Sequence, residues 1–129
     1  LPYINKILQQ SGNNYRSTLV HICGRLNSIF SQLNMLKTNA ISIDSATGIK
    51  AIREAVPWKV IIGNVSTQLL QTGTTEQVKN SASKALSHGA GILAPACGLS
   101  MLTPLINLKA MAETAAGWQN TNPQNIKEP

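Results

Sequence analysis

The sequence predicts an α/β fold in which a parallel sheet is covered by helices. Four short apolar segments are rich in β-branched residues, and each is followed by a stretch whose apolar residues recur at helical spacing. Strands that are apolar almost throughout indicate a sheet that is buried on both faces. Four such units form either an open sheet or one half of a (β/α)8 barrel, since a complete barrel needs about 250 residues and this chain has 129.

The first unit shows the pattern most clearly. The segment 18–23 (TLVHIC) is predicted as a strand, because it is β-branched and apolar and because Gly24 ends it. A helix is expected over 25–37, where the apolar residues form one stripe. A short helical segment at 5–10 and a turn at 11–14 are expected to precede this unit.

The later units repeat the alternation. A second strand is predicted at 40–44, and Pro57 closes the helix that follows it. A third strand is predicted at 58–65 (WKVIIGNV). Helix caps and helix-ending glycines predict the bounds of the remaining elements. These elements are a helix from Thr74 or Thr75 to Ser87, a strand at 91–97 and a helix from its N-cap Thr103 to Gly117. A polar tail from Gln119 to Pro129 follows.

Composition and charge narrow the classes of function. The formal net charge is +6, but the basic residues are dispersed and no aromatic residues are interleaved with them, so we expect no nucleic-acid partner. An anionic small molecule or an acidic partner suits this charge better. No apolar run approaches the roughly 18 residues of a membrane span, so we expect no membrane partner and a cytoplasmic location. The start at Leu1, with neither an initiator Met nor a signal pattern, is typical of a fragment or a processed product.

Five polar residues interrupt the predicted strands at or near their C-terminal ends. They are His21, Cys23, Asp44, Asn64 and Cys97, and barrels and open α/β sheets place their active sites at this end. His21 and Cys23 are two positions apart, so both side chains point to the same face of their strand. Together with Cys97 they match the ligand set of a catalytic zinc site with an open position. The alternative is a hydrogen-bonded core histidine with two cysteines as apolar core residues.

Asp44 and Asn64 are candidate catalytic residues whose roles the sequence leaves open. Asp44 is either a displaceable fourth zinc ligand or a base that orients His21, or it is the N-cap of the following helix. Asn64 is either a hydrogen-bond donor to substrate or part of a turn with Gly63. No glycine-rich phosphate-binding spacing occurs, so a nucleotide cofactor has no support.

Four motifs resemble the uroporphyrinogen decarboxylase-like superfamily: VHICG at 20–24, SID at 42–44, IIGNV at 61–65 and ILAPACGLS at 92–100. Within that superfamily they are similar to the methylcobamide:coenzyme M methyltransferases. The resemblance implies a (β/α)8 TIM barrel, of which chain 1–129 is the C-terminal half with an ordered core over about 17–117.

The resemblance also implies a site and a reaction. Zinc is held by His21, Cys23 and Cys97, and a carboxylate near Asp44 is similar to one that occupies the open zinc position when substrate is absent. A thiol bound at zinc loses its proton and takes a methyl group from a methylated corrinoid protein. The implied cofactors are therefore zinc and a corrinoid (cobamide) that the partner protein supplies. The implied acceptor is a small thiol such as coenzyme M, or tetrahydrofolate in some members.

Half a barrel leaves other functions open. The missing N-terminal half or a second copy of the chain is expected to close the sheet, so the isolated chain is expected to self-associate. One alternative is a catalytically silent half-barrel that acts as an assembly or binding module. Another is a folate-linked methyltransferase or a decarboxylase of the same superfamily.

Overall fold

The structure is a computed structural model, and it describes residues 1–12 and 17–121. Helices and strands alternate along the chain as far as β3, and three helices follow. In order they are α1 (Pro2–Gly12), β1 (Leu19–Ile22), a 3-10 turn (Asn27–Ile29), α2 (Phe30–Asn34), β2 (Ala40–Ile43), α3 (Ile49–Ala55), β3 (Val60–Ile62), α4 (Thr67–Thr72), α5 (Thr75–Ser87) and α6 (Leu105–Thr121). Within the described residues, no helix is both long enough and apolar enough to cross a membrane.

The described strands form a parallel sheet in the order β1-β2-β3. In the register between β1 and β2, His21 lies opposite Ser42, and between β2 and β3, Ile41 lies opposite Ile61. The predicted α/β class with parallel strands and intervening helices is confirmed. The third strand is shorter than the predicted 58–65, because Gly63, with φ +135°, leaves the extended conformation directly after Ile62.

The segment 91–97, predicted as a fourth strand, lies beside β3 without forming a continuous strand. It makes two isolated parallel bridges, Ile62–Ile92 and Val65–Pro95. Val65 donates its N–H to the carbonyl of Ala94 and accepts the N–H of Ala96, so the hydrogen bonds to β3 lie on either side of Pro95 and do not need its missing N–H. The segment nevertheless keeps the parallel direction of the sheet and carries Cys97 to the C-terminal ends of the strands.

The sheet is anchored by two clusters of buried side chains. In the first, Ile41, Ile43 and Ile61 of the sheet are fully buried and pack against apolar residues of α2 and α3. The second cluster joins the chain after β3 to α4, α5 and α6 through Val65, Leu70, Val78, Ala82 and Ala110. Burial of this kind stabilises the fold by about 25 cal/mol per Å² of apolar surface. The strand ends that carry the site residues are therefore held in place by packed apolar side chains.

The helix predicted over 25–37 is largely absent. It is replaced by the 3-10 turn and the five residues of α2. The backbone N–H of Leu26 donates to the hydroxyl of the buried Thr47 at 2.9 Å, and that hydroxyl donates to the carbonyl of Gly24 at 3.0 Å. These bonds tie the start of the segment to the loop after β2, so the segment cannot begin a helix there.

Three helices show which helix bounds local sequence signals can predict. α5 begins after Thr74 as one of the two predicted N-caps, and Thr74 and Gln77 form a capping box. α4 was not predicted, because six residues are too short to show a helical period; the hydroxyl of Ser66 caps it by accepting the N–H of Leu69 at 3.4 Å. α1 includes the predicted helical segment 5–10 and continues through the first two residues of the predicted turn. The rest of that turn lies outside the described residues.

The last helix differs from its prediction at both ends. α6 continues past Gly117, because a glycine inside a helix costs only about 1 kcal/mol and α6 is held against α5 by Ala110. Thr103 does not cap the helix with its side chain, since its Oγ1 atom is buried and finds no hydrogen-bond partner in the described part of the chain. The first three residues of the predicted tail, 119–121, therefore belong to α6, and 122–129 lie outside the described residues.

Candidate metal centre

The three predicted metal ligands meet at the C-terminal ends of the strands. His21 lies in β1, Cys23 follows β1, and Cys97 ends the segment beside β3. The Nε2 atom of His21 is 3.2 Å from the Sγ atom of Cys23, and the two Sγ atoms are 3.7 Å apart. All three donor atoms lie within 4.8 Å of one another, and all three residues are exposed.

The donor set and its spacing suit a zinc ion. Zinc commonly takes imidazole nitrogen together with thiolate sulfur in tetrahedral sites. With Zn–S bonds of about 2.3 Å, two sulfurs of a tetrahedral site lie about 3.8 Å apart, and the two cysteine sulfurs are already 3.7 Å apart. The 3.2 Å contact between His21 and Cys23 is a hydrogen bond between the ring and the thiol. Three protein ligands leave a fourth position for a substrate, and the exposure of all three residues makes it accessible from solvent.

The contact between Cys23 and Cys97 requires a strongly curved sheet. The segment that carries Cys97 lies three strand positions away from β1, which is about 14 Å in a flat sheet. Two cysteine side chains are too short to cross that distance. The ends of β1 and of the segment 91–97 must therefore bend toward each other, as strands do in the wall of a barrel.

The neighbouring Cys97 disfavours ionisation of the Cys23 thiol. The pKa of the Cys23 thiol is raised, first by its hydrogen bond with Cys97 and then by loss of hydration and by the negative charges of Cys97 and Asp44. Two neighbouring thiolates repel each other, so a cation between them is what allows both to lose their protons. The pair is thus arranged for a divalent cation rather than for two free thiolates.

His21 has a second polar neighbour that the sequence analysis missed. Its Nδ1 atom lies 2.9 Å from the hydroxyl oxygen of Ser42, which is the residue opposite His21 in the register of β1 and β2. The signal in the sequence was one hydroxyl in the otherwise apolar strand AISI. This hydroxyl can be connected with His21 only when the register of β1 and β2 is known.

Asp44 lies close to this group but is bonded to backbone. Its Oδ2 atom accepts the N–H of Gly24 at 3.2 Å, and its Oδ1 atom accepts the N–H of Ala46 at 2.9 Å. These two backbone bonds, with that of Ala46 the larger effect, hold the pKa of the Asp44 carboxyl below its usual value. The interpretation of Asp44 as the N-cap of the following helix is wrong, because α3 begins at Ile49 and its N-cap is Gly48.

Asn64 holds the loop after β2 in place. Its side-chain amide donates to the carbonyl of Asp44 at 3.0 Å and to that of Thr47 at 2.7 Å. Both amide protons are therefore engaged by the same loop. Asn64 and Asp44 together connect the chain after β1, the loop after β2 and the chain after β3, close to the three candidate metal ligands.

A cavity of about 230 Å³ lies beside this loop, between the start of α3 and the side of α5. Its lining residues include Ser45, Ser66, Ser81, Lys84 and His88. None of the three ligand residues lines this cavity. The candidate metal centre is instead open to solvent at the strand ends.

Comparison with known proteins identifies the family of this chain. The sequence profile described as Uroporphyrinogen decarboxylase (URO-D) matches residues 1–118. Methylcobamide:CoM methyltransferase MtbA of Methanosarcina acetivorans is 35% identical over 120 residues, which is 92% of this chain and 35% of that protein. Methylcobamide:CoM methyltransferase MtaA of Methanosarcina barkeri is 35% identical over 100 residues, which is 73% of this chain and 29% of that protein.

A solved structure gives the same result in three dimensions. A methyltransferase from Methanosarcina mazei superposes with a TM-score of 0.78 at 29% identity, and the match covers 89% of this chain and 35% of that one. The chain thus spans about a third of the length of the relatives it matches. Since the family profile covers nearly the whole sequence, the chain belongs to the uroporphyrinogen decarboxylase (URO-D) family.

Proposed function

We propose that the chain is part of a zinc-dependent methyltransferase that moves a methyl group from a methylated corrinoid protein to a small thiol such as coenzyme M. The observation that carries this proposal is the convergence of His21, Cys23 and Cys97, whose donor atoms lie within 4.8 Å of one another. The relatives support it, because their names describe methyl transfer between a methylcobamide and CoM.

The same proposal includes the architecture. Chain 1–129 would be the C-terminal half of a (β/α)8 barrel. The parallel strand order and the bending that brings Cys23 to Cys97 support a barrel wall over a flat open sheet. A further part of the barrel, or a second copy of the chain, would pair with the outer edge of β1.

The side chains have separate tasks in this mechanism. His21, Cys23 and Cys97 would hold the zinc, which when bound supplies a Lewis-acidic open position that lowers the pKa of a substrate thiol. The two thiolates and the neutral imidazole would offset the charge of a divalent cation, so a substrate sulfur beside them would keep its negative charge. Cys23 and Cys97 remain ligands and do not accept the methyl group themselves.

Asp44 and Asn64 are proposed to act on the same site. Asp44 places a negative charge close enough to raise the pKa of the Cys23 thiol, and it holds the backbone of Gly24 directly after that ligand. To enter the open metal position it would have to release this N–H and that of Ala46. Asn64 would reach substrate only by giving up a loop carbonyl, so in this proposal it mainly keeps the loop of Asp44 in position.

Metal content of the full chain tests the proposal most directly. We expect about one tightly bound zinc per chain under reducing conditions, and we expect Cys97→Ser and His21→Gln to lose or weaken it. His88→Gln is the matched control, because His88 is the only other histidine in the sequence. A chain that binds no zinc, or variants that bind it as well as the original, would contradict the proposal.

Methyl transfer is the second part of the test. With a methylated corrinoid protein as donor, coenzyme M and tetrahydrofolate are compared as acceptors, with the zinc-loaded chain alone and with the remainder of a related barrel added. Methylation of coenzyme M that requires zinc supports the proposed reaction. Methylation of tetrahydrofolate but not of coenzyme M would support the folate-linked alternative. Metal-independent decarboxylation would support a decarboxylase of the same superfamily.

A catalytically silent module is the second candidate function. The observation that favours it is the openness of the site, since all three ligand residues are exposed, and catalytic sites exclude water to strengthen their electrostatics. Zinc binding without methyl transfer, even with the rest of a barrel added, would support this candidate over the enzyme.

A further inference from the structure

We propose that Ser42 is a positioning residue of the metal centre. Its hydroxyl accepts the Nδ1–H of His21 and thereby leaves the lone pair of Nε2 free for the metal. The inference rests on the proposed metal centre, and it is carried by the 2.9 Å contact between Nδ1 of His21 and Oγ of Ser42.

The sheet fixes the position of Ser42. His21 and Ser42 are register partners on adjacent parallel strands, so their side chains lie on the same face, one strand spacing apart. The backbone on both sides is held by the ladder and by the buried Ile41 and Ile43. The contact therefore does not depend on a loop that could move away.

The two ring nitrogens of His21 have different neighbours, and this decides which one can bind metal. Nε2 faces the Cys23 sulfur at 3.2 Å, so it is the nitrogen that belongs to the ligand group. A neutral imidazole has one N–H and one lone pair, and a metal needs the lone pair. Ligation through Nε2 therefore requires the proton on Nδ1, where the Ser42 oxygen can accept it.

The nearby carboxylate does not take this role. In many metal sites a carboxylate or a carbonyl accepts the free N–H of a ligating histidine. Here both oxygens of Asp44 accept backbone N–H groups, from Gly24 and Ala46. Ser42 is the group that contacts Nδ1, and an anchored N–H also prevents the ring from rotating about its bond to Cβ and exchanging its two nitrogens.

The test compares variants that differ in the hydroxyl alone. Ser42→Ala and Ser42→Val remove it, while Ser42→Thr keeps it and has nearly the shape of Ser42→Val. Ser87→Ala is the matched control, since Ser87 is an exposed serine of α5 whose hydroxyl donates to the carbonyl of Lys84. The first readout is the tautomer of His21 in the reduced, metal-free full chain, from the ¹⁵N shifts of its ring, with His88→Gln used to assign the signals. The second readout is zinc affinity by competition with a chromogenic chelator.

We expect the Nδ1–H tautomer of His21 in the original chain and in Ser42→Thr, and a loss of this preference in Ser42→Ala and Ser42→Val. We expect zinc affinity to fall by about 10- to 100-fold in the two variants without the hydroxyl, and to be retained in Ser42→Thr and Ser87→Ala. An Nε2–H tautomer in the original chain, or unchanged zinc affinity in Ser42→Ala and Ser42→Val, would overturn the inference.

The two readouts separate this inference from the proposed function. If the original chain binds no zinc, the proposed metal centre fails, while the tautomer of His21 still decides whether Ser42 orients the ring. If one variant without the hydroxyl fails to fold, as judged by circular dichroism, the other provides the comparison with Ser42→Thr.

Discussion

The Sγ atoms of Cys23 and Cys97 lie 3.7 Å apart although the two residues are separated by 74 positions in the chain. This contact joins the first strand of the sheet to the last segment beside it, and it exists only because the sheet bends. Both cysteines are free thiols and exposed. The redox state of the two thiols should therefore depend on the curvature of the sheet and on whether a metal ion lies between the sulfurs.

Oxidation should convert this pair into an intramolecular disulfide when no metal is bound. The sulfurs need to approach from 3.7 Å to about 2.05 Å, a small movement for two side chains on the surface. With hydrogen peroxide as oxidant, the two thiols lose two protons and two electrons, and the peroxide is reduced to two molecules of water. Mass spectrometry with thiol alkylation should show a monomer that has lost both reactive thiols, and prior loading with zinc should slow the reaction.

Disulfide-linked dimers, or chains with a sulfenic or sulfinic acid at one cysteine, as the main product would contradict this prediction. Cys97→Ser is the control, because it leaves Cys23 without an intramolecular partner. In that variant the same treatment should yield only a singly oxidised Cys23 or a linked dimer.

Asp44→Asn should destabilise the chain in a pH-dependent manner. The folded pKa of Asp44 is lowered by the N–H groups of Ala46 and Gly24, so its contribution to stability is fully present above the unfolded value of about 3.9 and is lost as the pH falls through the folded value. We expect a loss of about 1 kcal/mol at neutral pH, the scale of one weakened hydrogen bond to a charged group.

Urea unfolding followed by circular dichroism measures this difference at neutral pH and at several acidic pH values. The gap between the original chain and Asp44→Asn should close as the pH falls. Glu54→Gln serves as the control, because Glu54 is an exposed residue of α3. A gap that stays constant over the whole pH range would show that the carboxylate charge is not responsible.

Gly63→Ala should destabilise the chain more than Gly48→Ala does. Gly63 has φ +135°, a conformation that other residues rarely adopt, and an added Cβ would lie 3.0 Å from the carbonyl oxygen of Ile43 in the neighbouring strand. A strained backbone conformation of this kind costs about 1 to 3 kcal/mol. At Gly48 an added Cβ meets nothing within 4 Å, and φ is −71°. Thermal unfolding of both variants tests the difference, and equal melting temperatures would contradict it.

The sequence predicted the features of the fold that depend on local pattern. The strand cores, the helix start at Thr74 or Thr75 and the meeting of His21, Cys23 and Cys97 follow from periodicity, cap chemistry and the position of polar residues at strand ends. The prediction of a helix over 25–37 was wrong because a distant residue holds the start of this segment. The hydroxyl of Thr47 accepts the N–H of Leu26. The contact of Ser42 with His21 was missed because it depends on strand register, which one sequence does not reveal.

Self-association of the isolated chain is the last prediction. Among the described residues β1 has no strand on its outer side, and unpaired strand edges offer N–H and C=O groups to another chain. Leu19 of β1 is 52% exposed, and a second apolar surface follows Cys97, formed by Leu99, Met101, Leu102, Leu105 and Ile106. We expect the mass from light scattering to rise above the monomer value of 13.8 kDa as the concentration increases.

Charged substitutions identify the surface responsible. Leu19→Lys, at the strand edge, should lower the apparent mass if edge pairing drives association, because a lysine on an edge strand opposes pairing. Leu102→Glu should lower it if the surface after Cys97 is the contact, whereas Ile7→Lys, on the exposed side of α1, should have little effect. A chain that remains monomeric at high concentration would mean that its open sheet edge is tolerated in water, and pairing with a second copy could then not complete the barrel.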